Sequence, residues 1–283
     1  MNHCALLPAF GFTTQRDVLW AIALAIMVLL PFFGGVALFA VPEPQNRSTT
    51  RLDIRDGLRH LGRNKPFLRL IVAFFLNGLA NGLPASLFLF FVAERLGGAG
   101  QEPVFLLIYF FCAVVSVPFW LRLAGRLPKH RVWAAAMLLA SVAFISAVLL
   151  PSGALVLYGI ICVVTGFALG ADLMLPPSIQ ADVIDVDTAA SGEQRSGFYF
   201  AIWALAQKAA LAFAVGIAFP VLALSGFDPA KGLRTEMGLT MLAVLYAGFP
   251  VVLKLVATAL MWRFPVDGSE QARLRATIEA RLG

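Results

Sequence analysis

Three ionisable side chains lie inside long apolar stretches of the sequence, namely Asp172, Lys208 and Lys254. A charge at the centre of a membrane-spanning helix costs roughly 2.5–3.5 kcal/mol, so such residues usually face a cavity or an oppositely charged partner. Lys208 lies about 15 Å beyond the start of its stretch at Phe198, a distance that a lysine side chain spans only in part. We expect Lys208 to face a polar pathway, with a structural ion pair as the alternative, and Lys254 to have a structural partner such as Asp172.

A second group of charged residues follows the stretch that contains Asp172. Asp182 and Asp185 are three positions apart and share a face if the helix continues through them. Paired with Lys208 or Arg195, they would form a gate that responds to proton or cation binding. A solvated helix end without a gating role is the alternative.

Two Asn-Gly pairs, which begin at Asn77 and Asn81, lie four residues apart and therefore share a helical face. Pro84 follows them and frees a backbone carbonyl. The pattern predicts a cavity-lining helix that bends, although small residues also permit ordinary close packing in lipid. In a later apolar stretch, Pro176 and Pro177 similarly predict a break in a helix or its end.

The histidines and cysteines give no sign of catalytic or metal chemistry. The histidines lie outside the apolar stretches, and no apolar stretch presents a nucleophile with a base nearby, which makes an integral membrane enzyme the weaker hypothesis. The cysteines lack metal-ligand spacing, so we expect no zinc site, no disulfide and no bound cofactor. The residues concerned are His3, His60, His130, Cys4, Cys112 and Cys162.

The composition requires a membrane around these side chains. Of 283 residues, 60% are hydrophobic and 13% charged, whereas soluble domains carry about 25% charged residues. Several apolar runs are long enough to cross a hydrocarbon core as helices. We therefore predict an all-α polytopic membrane protein without a cleavable signal peptide. Its seven predicted spans cover residues 18–40, 67–92, 103–123, 132–150, 154–178, 198–225 and 239–264.

Lysine and arginine are distributed unevenly over the connections between these spans. Fifteen lie on one side, after the first, third and fifth spans and in the tail, whereas four lie on the other side. Because short cytoplasmic loops carry the excess of positive charge, we predict a cytoplasmic C-terminus and an external N-terminus in the inner (plasma) membrane. The same rule explains the net charge of +6 without a nucleic-acid partner.

Two polar segments carry signals of short helices. In the predicted cytoplasmic loop 41–66, apolar residues from Ile54 to Leu61 share one face and arginines another, as in a helix that lies on an anionic membrane surface. A solvated linker helix is the alternative. In the predicted cytoplasmic tail 265–283, Ser269 is a candidate cap for a second helix.

The order of residues from Asp182 to Lys208 resembles that of the glycoside-pentoside-hexuronide:cation symporters, the melibiose permease relatives within the major facilitator superfamily. In that family an Asp-x-x-Asp pair ends the tenth helix, a loop with glycines and an arginine follows, and a lysine sits in the eleventh helix near the sugar and cation sites. The resemblance implies a coupling cation, such as sodium or a proton, and Trp203 is a further candidate for the solute pathway. The matching residues are Asp182, Asp185, Gly192, Arg195, Gly197 and Lys208.

The resemblance covers nearly all of the chain beyond residues 1–17 and aligns its spans with the sixth to twelfth helices of a twelve-helix transporter. It implies one helix at 18–40, a central loop at 41–66, a C-terminal six-helix bundle at 67–264 and a tail at 265–283. The chain would then be a truncated transporter, and the missing N-terminal bundle would be needed for activity.

The leading functional hypothesis is cation- or proton-coupled symport of a small sugar- or glycoside-like solute by alternating access, in a protein surrounded by membrane lipid. Lys208 would link solute and cation occupancy, and Asn77 and Asn81 would line the cavity. A lysolipid or another non-sugar solute is the alternative within the family. An integral membrane enzyme and an inactive fragment are the alternatives of other classes.

Overall fold

The computed structural model describes residues 15–40, 54–191, 195–228, 232–266, 270–271 and 273–274. The chain divides into two compact units, residues 1–47 and 48–283, which are described separately. Most of the predicted N-terminal extension, the polar start of the central loop, and Gly192 and Ser269 lie outside the described residues.

Within the described residues, seven helical segments are long and apolar enough to cross a membrane. This agrees with the all-α polytopic fold that the composition predicts. The elements are α1 Gln15–Ala40, α2 Ile54–Arg63, α3 Lys65–Phe90, α4 Glu102–Ala124, α5 Lys129–Ile145, α6 Leu155–Ser191, α7 Ser196–Leu224, β1 Phe227–Asp228, β2 Leu233–Arg234, α8 Glu236–Ala243 and α9 Phe249–Trp262.

Three short stretches of other helix types extend these elements. A π-helical turn, Phe91–Arg95, follows α3, and a 3₁₀ turn, Ser146–Leu149, follows α5. A second π-helical turn, Val244–Gly248, joins α8 to α9, so that the last span runs from Glu236 to Trp262.

The first unit contributes the helix α1. Its 22-residue segment Leu19–Ala40 has a mean hydropathy of 2.5. At 1.5 Å per residue this segment is about 33 Å long, which is enough to cross a hydrocarbon core of about 30 Å. Pro31 lies inside the helix.

The second unit is a bundle of six spans. α3 packs against α7 and α9, α6 packs against α4 and α5, and α5 also packs against α9. Two buried apolar clusters fill the bundle. One contains Trp133, Val183 and Tyr199, and the other contains Phe91 and Tyr158. We call the end with the first cluster the basic end, because it holds the lysine- and arginine-rich connections.

Asn64 fixes the start of α3 at the basic end. Its Oδ1 atom accepts a hydrogen bond from the backbone N–H of Phe67 at 3.0 Å, which caps the helix. Its Nδ2 atom donates to the carbonyl oxygen of Val183 and to the hydroxyl of Tyr199, each at 3.2 Å. One buried amide therefore joins α3, α6 and α7.

The amphipathic helix predicted in the central loop is present as α2. Leu61 is buried in the cluster at the basic end, and Gly57 lies so close to the ring of Phe198 that a Cβ atom would be 2.9 Å from it. This part of α2 therefore rests on the bundle rather than only on lipid or water.

The helix α6 continues through Pro176 and Pro177 and ends at Ser191, so the predicted break and the span end at residue 178 are wrong. Each proline removes one main-chain hydrogen bond from the helix. Packing of α6 against both α4 and α5 offsets this loss, because tertiary contacts rather than local propensity supply most helix stability in proteins.

Two glycines allow α4 and α6 to cross closely. A Cβ atom on Gly166 would collide with the backbone carbonyl of Tyr109. One on Gly170 would lie 2.7 Å from the carbonyl oxygen of Ala113 and still closer to the hydroxyl of Ser116. Small residues four positions apart commonly make such close contacts between membrane helices.

At the opposite end, a two-stranded ribbon follows α7. β1 pairs antiparallel with β2, with Phe227 opposite Arg234. The guanidinium of Arg234 donates to both carboxylate oxygens of Glu94, at 2.5 and 2.7 Å. Hydrogen bonding to this carboxylate raises the pKa of Arg234, which therefore stays charged, but an exposed pair adds little stability.

Candidate functional site

A cavity of about 420 Å³ opens among α3, α4, α5, α6 and the last span. Its walls are mostly aromatic and aliphatic, and α6 contributes to them over its length from Tyr158 to Asp172. These two residues are 14 positions apart, which corresponds to about 21 Å of helix, so the cavity is elongated along the bundle. Apolar lining side chains include Phe88, Phe105, Leu106, Phe110, Phe144 and Leu169.

The charged groups of the cavity meet at one end, around Asp172. Its Oδ1 atom accepts a hydrogen bond from the indole N–H of Trp133 at 2.6 Å. Its Oδ2 atom accepts from the amide of Asn81 at 3.1 Å and from the ammonium of Lys254 at 3.2 Å. Side chains of α3, α5 and the last span therefore hold the one carboxylate of α6.

Lys254 is held equally firmly. Besides its ion pair with Asp172, its ammonium donates to the side-chain oxygen of Asn77 at 2.6 Å. The side chains of Lys254 and Asp172 are only 8% and 9% exposed. Buried charges are tolerated where they are paired and hydrogen-bonded, and both conditions hold here.

The structure thus brings together four of the residues that the sequence singles out. Asn77 and Asn81 lie on one face of α3, as their spacing predicts, and Lys254 has Asp172 as its ion-pair partner. Asn81 lines the cavity, whereas Asn77 lies buried behind Lys254.

Lys208 and Trp203 lie elsewhere. The side chain of Lys208 is exposed on α7 and is not part of the cavity lining. Trp203 is buried and stacks on Phe74, with ring centroids 3.7 Å apart. The indole of Trp203 therefore packs between helices instead of facing this cavity.

Asp182, at the basic end, has a partner different from those that the sequence predicts. Asp182 accepts two hydrogen bonds from Lys129, at 2.7 and 3.0 Å, and one from the side chain of Gln271. Arg195 contacts Asp187 at 3.4 Å. Asp185 is half-buried on the same helix. The expected pairing of Asp182 with Lys208 or Arg195 is thus replaced by a pair with Lys129, the first residue of α5.

Sequence reasoning misses three features of these networks. It gives Lys254 a purely structural role, yet this residue lines the cavity. Trp133 gives no signal, because a tryptophan near a helix start is equally typical of a membrane interface. Asp187, two positions beyond Asp185, is detectable only as one more carboxylate in a charged helix end.

The arrangement suits an amphipathic ligand. The apolar walls favour burial of a hydrocarbon segment, and the charged end offers both a carboxylate and an ammonium. Among the residues that line the described part of the cavity, only Asp172 and Lys254 carry a charge. Lipid-like molecules combine these two requirements in one molecule.

Comparison with known proteins gives the family. A family model described as MFS/sugar transport protein matches residues 3–268. A sodium-dependent lysophosphatidylcholine symporter of Danio rerio is 23% identical over 262 residues, which is 88% of this chain and 48% of that protein. An uncharacterised symporter of Synechocystis is 25% identical over 84% of this chain and 45% of its own length.

A sphingosine-1-phosphate transporter of Xenopus tropicalis is 22% identical over 74% of this chain and 41% of its own length. The chain spans about half the length of the curated relatives that it matches. The family match and the seven apolar helices of the described residues agree with a multi-pass membrane protein of a transporter family. This match agrees with the resemblance of the residue order from Asp182 to Lys208 to the melibiose permease relatives. The chain therefore belongs to the MFS/sugar transport protein family.

Proposed function

We propose that the chain is part of a cation-coupled symporter that moves a single-chain amphipathic solute by alternating access. The observation that carries this proposal is the elongated apolar cavity with one charged end at Asp172 and Lys254. A hydrocarbon chain would lie along the aromatic walls, and a polar head would lie at the ion pair.

This cavity favours an amphiphile over a sugar. A sugar carries hydroxyls on all sides, and each needs a hydrogen-bond partner when it leaves water. At the far end of the cavity, the hydroxyls of Tyr158 and Tyr246 bond to each other at 2.5 Å and so offer less to a sugar. Two of the relatives are named for lysophosphatidylcholine and sphingosine-1-phosphate, which supports the non-sugar alternative.

Sodium is the coupling cation that the relatives suggest, because the name of the Danio rerio protein states a sodium dependence. In this proposal, the charge of Lys208 on α7 links solute and cation occupancy. Asp182 and Asp185, together with Arg195, form a gate at the basic end. Because positive charge is concentrated at the basic end, this end faces the cytoplasmic side of the inner membrane.

The binding half of the proposal can be tested on the purified chain in nanodiscs. We expect saturable binding of radiolabelled lysophosphatidylcholine, and no binding of methyl glucoside. Ala85 lines the cavity, so Ala85→Trp should fill it and lower the affinity at least about tenfold. Ala135 is exposed on α5 outside the cavity lining, and Ala135→Trp is the matched control.

The transport half needs proteoliposomes that contain the complete transporter of which the chain is part. A sodium gradient should drive lysophosphatidylcholine uptake, and dissipation of the gradient should stop it. Saturable binding of methyl glucoside with no binding of the lysolipid would overturn the assignment of an amphipathic solute. Gradient-independent uptake would overturn the coupling.

A further inference from the structure

We infer that Gln180 is a gating residue at the basic end of the bundle, and that its side-chain amide is the group to which water binds when this end opens. The inference rests on the part of the proposed function that places a gate at the basic end. It is independent of the solute, and it adds the residue whose burial favours opening.

The first argument is an unpaired amide in the interior. Gln180 is 0% exposed. Neither its side-chain oxygen nor its side-chain nitrogen has a hydrogen-bond partner in the part of the chain that the structure describes. Most buried polar side-chain atoms in proteins are paired, because an unpaired one retains the full cost of its removal from water. Gln180 therefore destabilises the arrangement in which it is buried.

The second argument is the environment of this amide. Val183 and Ile184, one turn further along α6, belong to the buried apolar cluster at the basic end. Apolar side chains offer no hydrogen bond to an amide. Because Gln180 is fully buried, bulk water reaches it only when this part of α6 separates from the neighbouring helices.

The third argument is a possible hinge beside the amide. Pro176 and Pro177 lie inside α6, four and three positions before Gln180. Each proline lacks an N–H group and removes one main-chain hydrogen bond, and sharp bends of helices occur mostly at prolines. A bend at this point would move residues 178–191 relative to the rest of α6. We call these residues the hinged segment.

The fourth argument is that the contacts of the hinged segment with other helices include exchangeable ones. Its polar contacts include Val183 with Asn64, Asp182 with Lys129, and Asp187 with Arg195, at 3.2, 2.7 and 3.4 Å, respectively. A hydrogen bond within the protein can be exchanged for one to water, so its net contribution to stability is small. Because Gln180 opposes these contacts, the closed and open arrangements are close in free energy.

The test measures how often the basic end opens in the purified chain in nanodiscs. Val183 is 0% exposed, so Val183→Cys, in a chain whose native cysteines are replaced, should react with a water-soluble maleimide only after opening. Gln180→Met keeps the length of the side chain and removes both polar atoms. We expect Gln180→Met to slow the labelling at least about fivefold and to raise the melting temperature by about 2 °C or more.

Thr258→Val is the matched control. Thr258 is buried in α9, and its hydroxyl has no hydrogen-bond partner among the described residues either. The isosteric valine should therefore raise the melting temperature as well. Because Thr258 lies outside the hinged segment, its replacement should leave the labelling rate unchanged. An equal fall in labelling for both variants would assign the effect to general stabilisation and overturn the inference.

The outcomes separate the inference from the proposed gate. Labelling at the same rate with and without Gln180→Met would overturn the role of Gln180 and leave the gate in place. Labelling that occurs only after denaturation in SDS, in every variant, would overturn both. Neither outcome affects the assignment of an amphipathic solute, which depends on lysolipid binding.

A second variant keeps the test decisive if Gln180→Met does not fold. Gln180→Glu replaces the amide with a carboxylate, which is more costly to bury. We expect Gln180→Glu to speed the labelling of Val183→Cys at least about fivefold at neutral pH. A slower or unchanged rate would contradict the inference.

Discussion

The Nζ atom of Lys254 lies 3.2 Å from the Oδ2 atom of Asp172, at the wall of the cavity. Both charges are buried, and neither has another charged partner in the described part of the chain. Because a buried charge without its partner is far more costly than a buried neutral group, the stability of the bundle depends on the presence of both residues or of neither.

Loss of one charge should therefore destabilise the bundle more than loss of both. We expect Lys254→Met alone to cost about 3–5 kcal/mol of unfolding free energy, and Asp172→Leu/Lys254→Met to cost much less. Thermal unfolding of the three proteins in the same detergent measures the difference. Equal melting temperatures for the single and double variants would mean that the ion pair does not balance the charges.

Gly170 should not tolerate a methyl group. Its Cβ would collide with the backbone and side chain of α4, at Ala113 and Ser116, so Gly170→Ala should cost about 1–3 kcal/mol. Gly216, in α7, has no neighbouring atom within 4 Å of the position that a methyl group would take, and Gly216→Ala should be neutral or slightly stabilising. Melting temperatures of both variants test the close crossing of α4 and α6, which a stable Gly170→Ala variant would contradict.

Asn64 should contribute more to stability than any one of its three hydrogen bonds alone. Asn64→Ala removes the cap of α3 and the bonds to α6 and α7, for an expected loss of about 2 kcal/mol. Tyr199→Phe removes only the bond to the hydroxyl and should cost about 1 kcal/mol or less. If the two variants melt at the same temperature, the capping role is wrong.

Lys208 provides a test of cation coupling that does not involve the cavity wall. We expect sodium to strengthen lysolipid binding to the unmodified chain and to leave binding to Lys208→Ala unchanged. Lys208→Arg keeps the charge and should retain the response. Binding isotherms with sodium or choline as the cation measure it, and a full sodium response in Lys208→Ala would remove this residue from the coupling mechanism.

The orientation can be measured with single cysteines in a chain whose native cysteines are replaced. Arg126, between α4 and α5, and Gln101, before α4, are both exposed at opposite ends of α4. Arg126→Cys should react with a membrane-impermeant maleimide only in inside-out vesicles, and Gln101→Cys only in right-side-out vesicles. The opposite labelling would reverse the predicted topology.

The sequence alone is sufficient to predict the membrane helices and part of the candidate site. Long apolar runs predict membrane helices because the bilayer sets their length, and the spacing of Asn77 and Asn81 predicts a shared face because helical geometry is local. The partnership of Lys254 with Asp172 follows from the cost of an unpaired charge in lipid. These inferences depend on local helix geometry, on the thickness of the bilayer, or on one large energetic cost.

The sequence-based predictions that are wrong depend on which distant parts of the chain come into contact. Asp182 has several basic candidates, and its partner Lys129, at the start of α5, is 53 positions away in the chain. The prolines of α6 carry a local penalty that packing with two neighbouring helices outweighs. Neither outcome can be read from spacing, because both depend on how the helices meet in space.

Prolines also weaken two walls of the cavity, α3 and α6, at a similar height along the bundle. Pro84 in α3 and Pro176 and Pro177 in α6 have no N–H group, so the main-chain hydrogen bonds that bending would break are absent at these positions. The contact between Asn81 and Asp172 places these joints at the height of the ion pair. Bending of α3 or α6 at these prolines would therefore break fewer main-chain hydrogen bonds than bending elsewhere in the same helices.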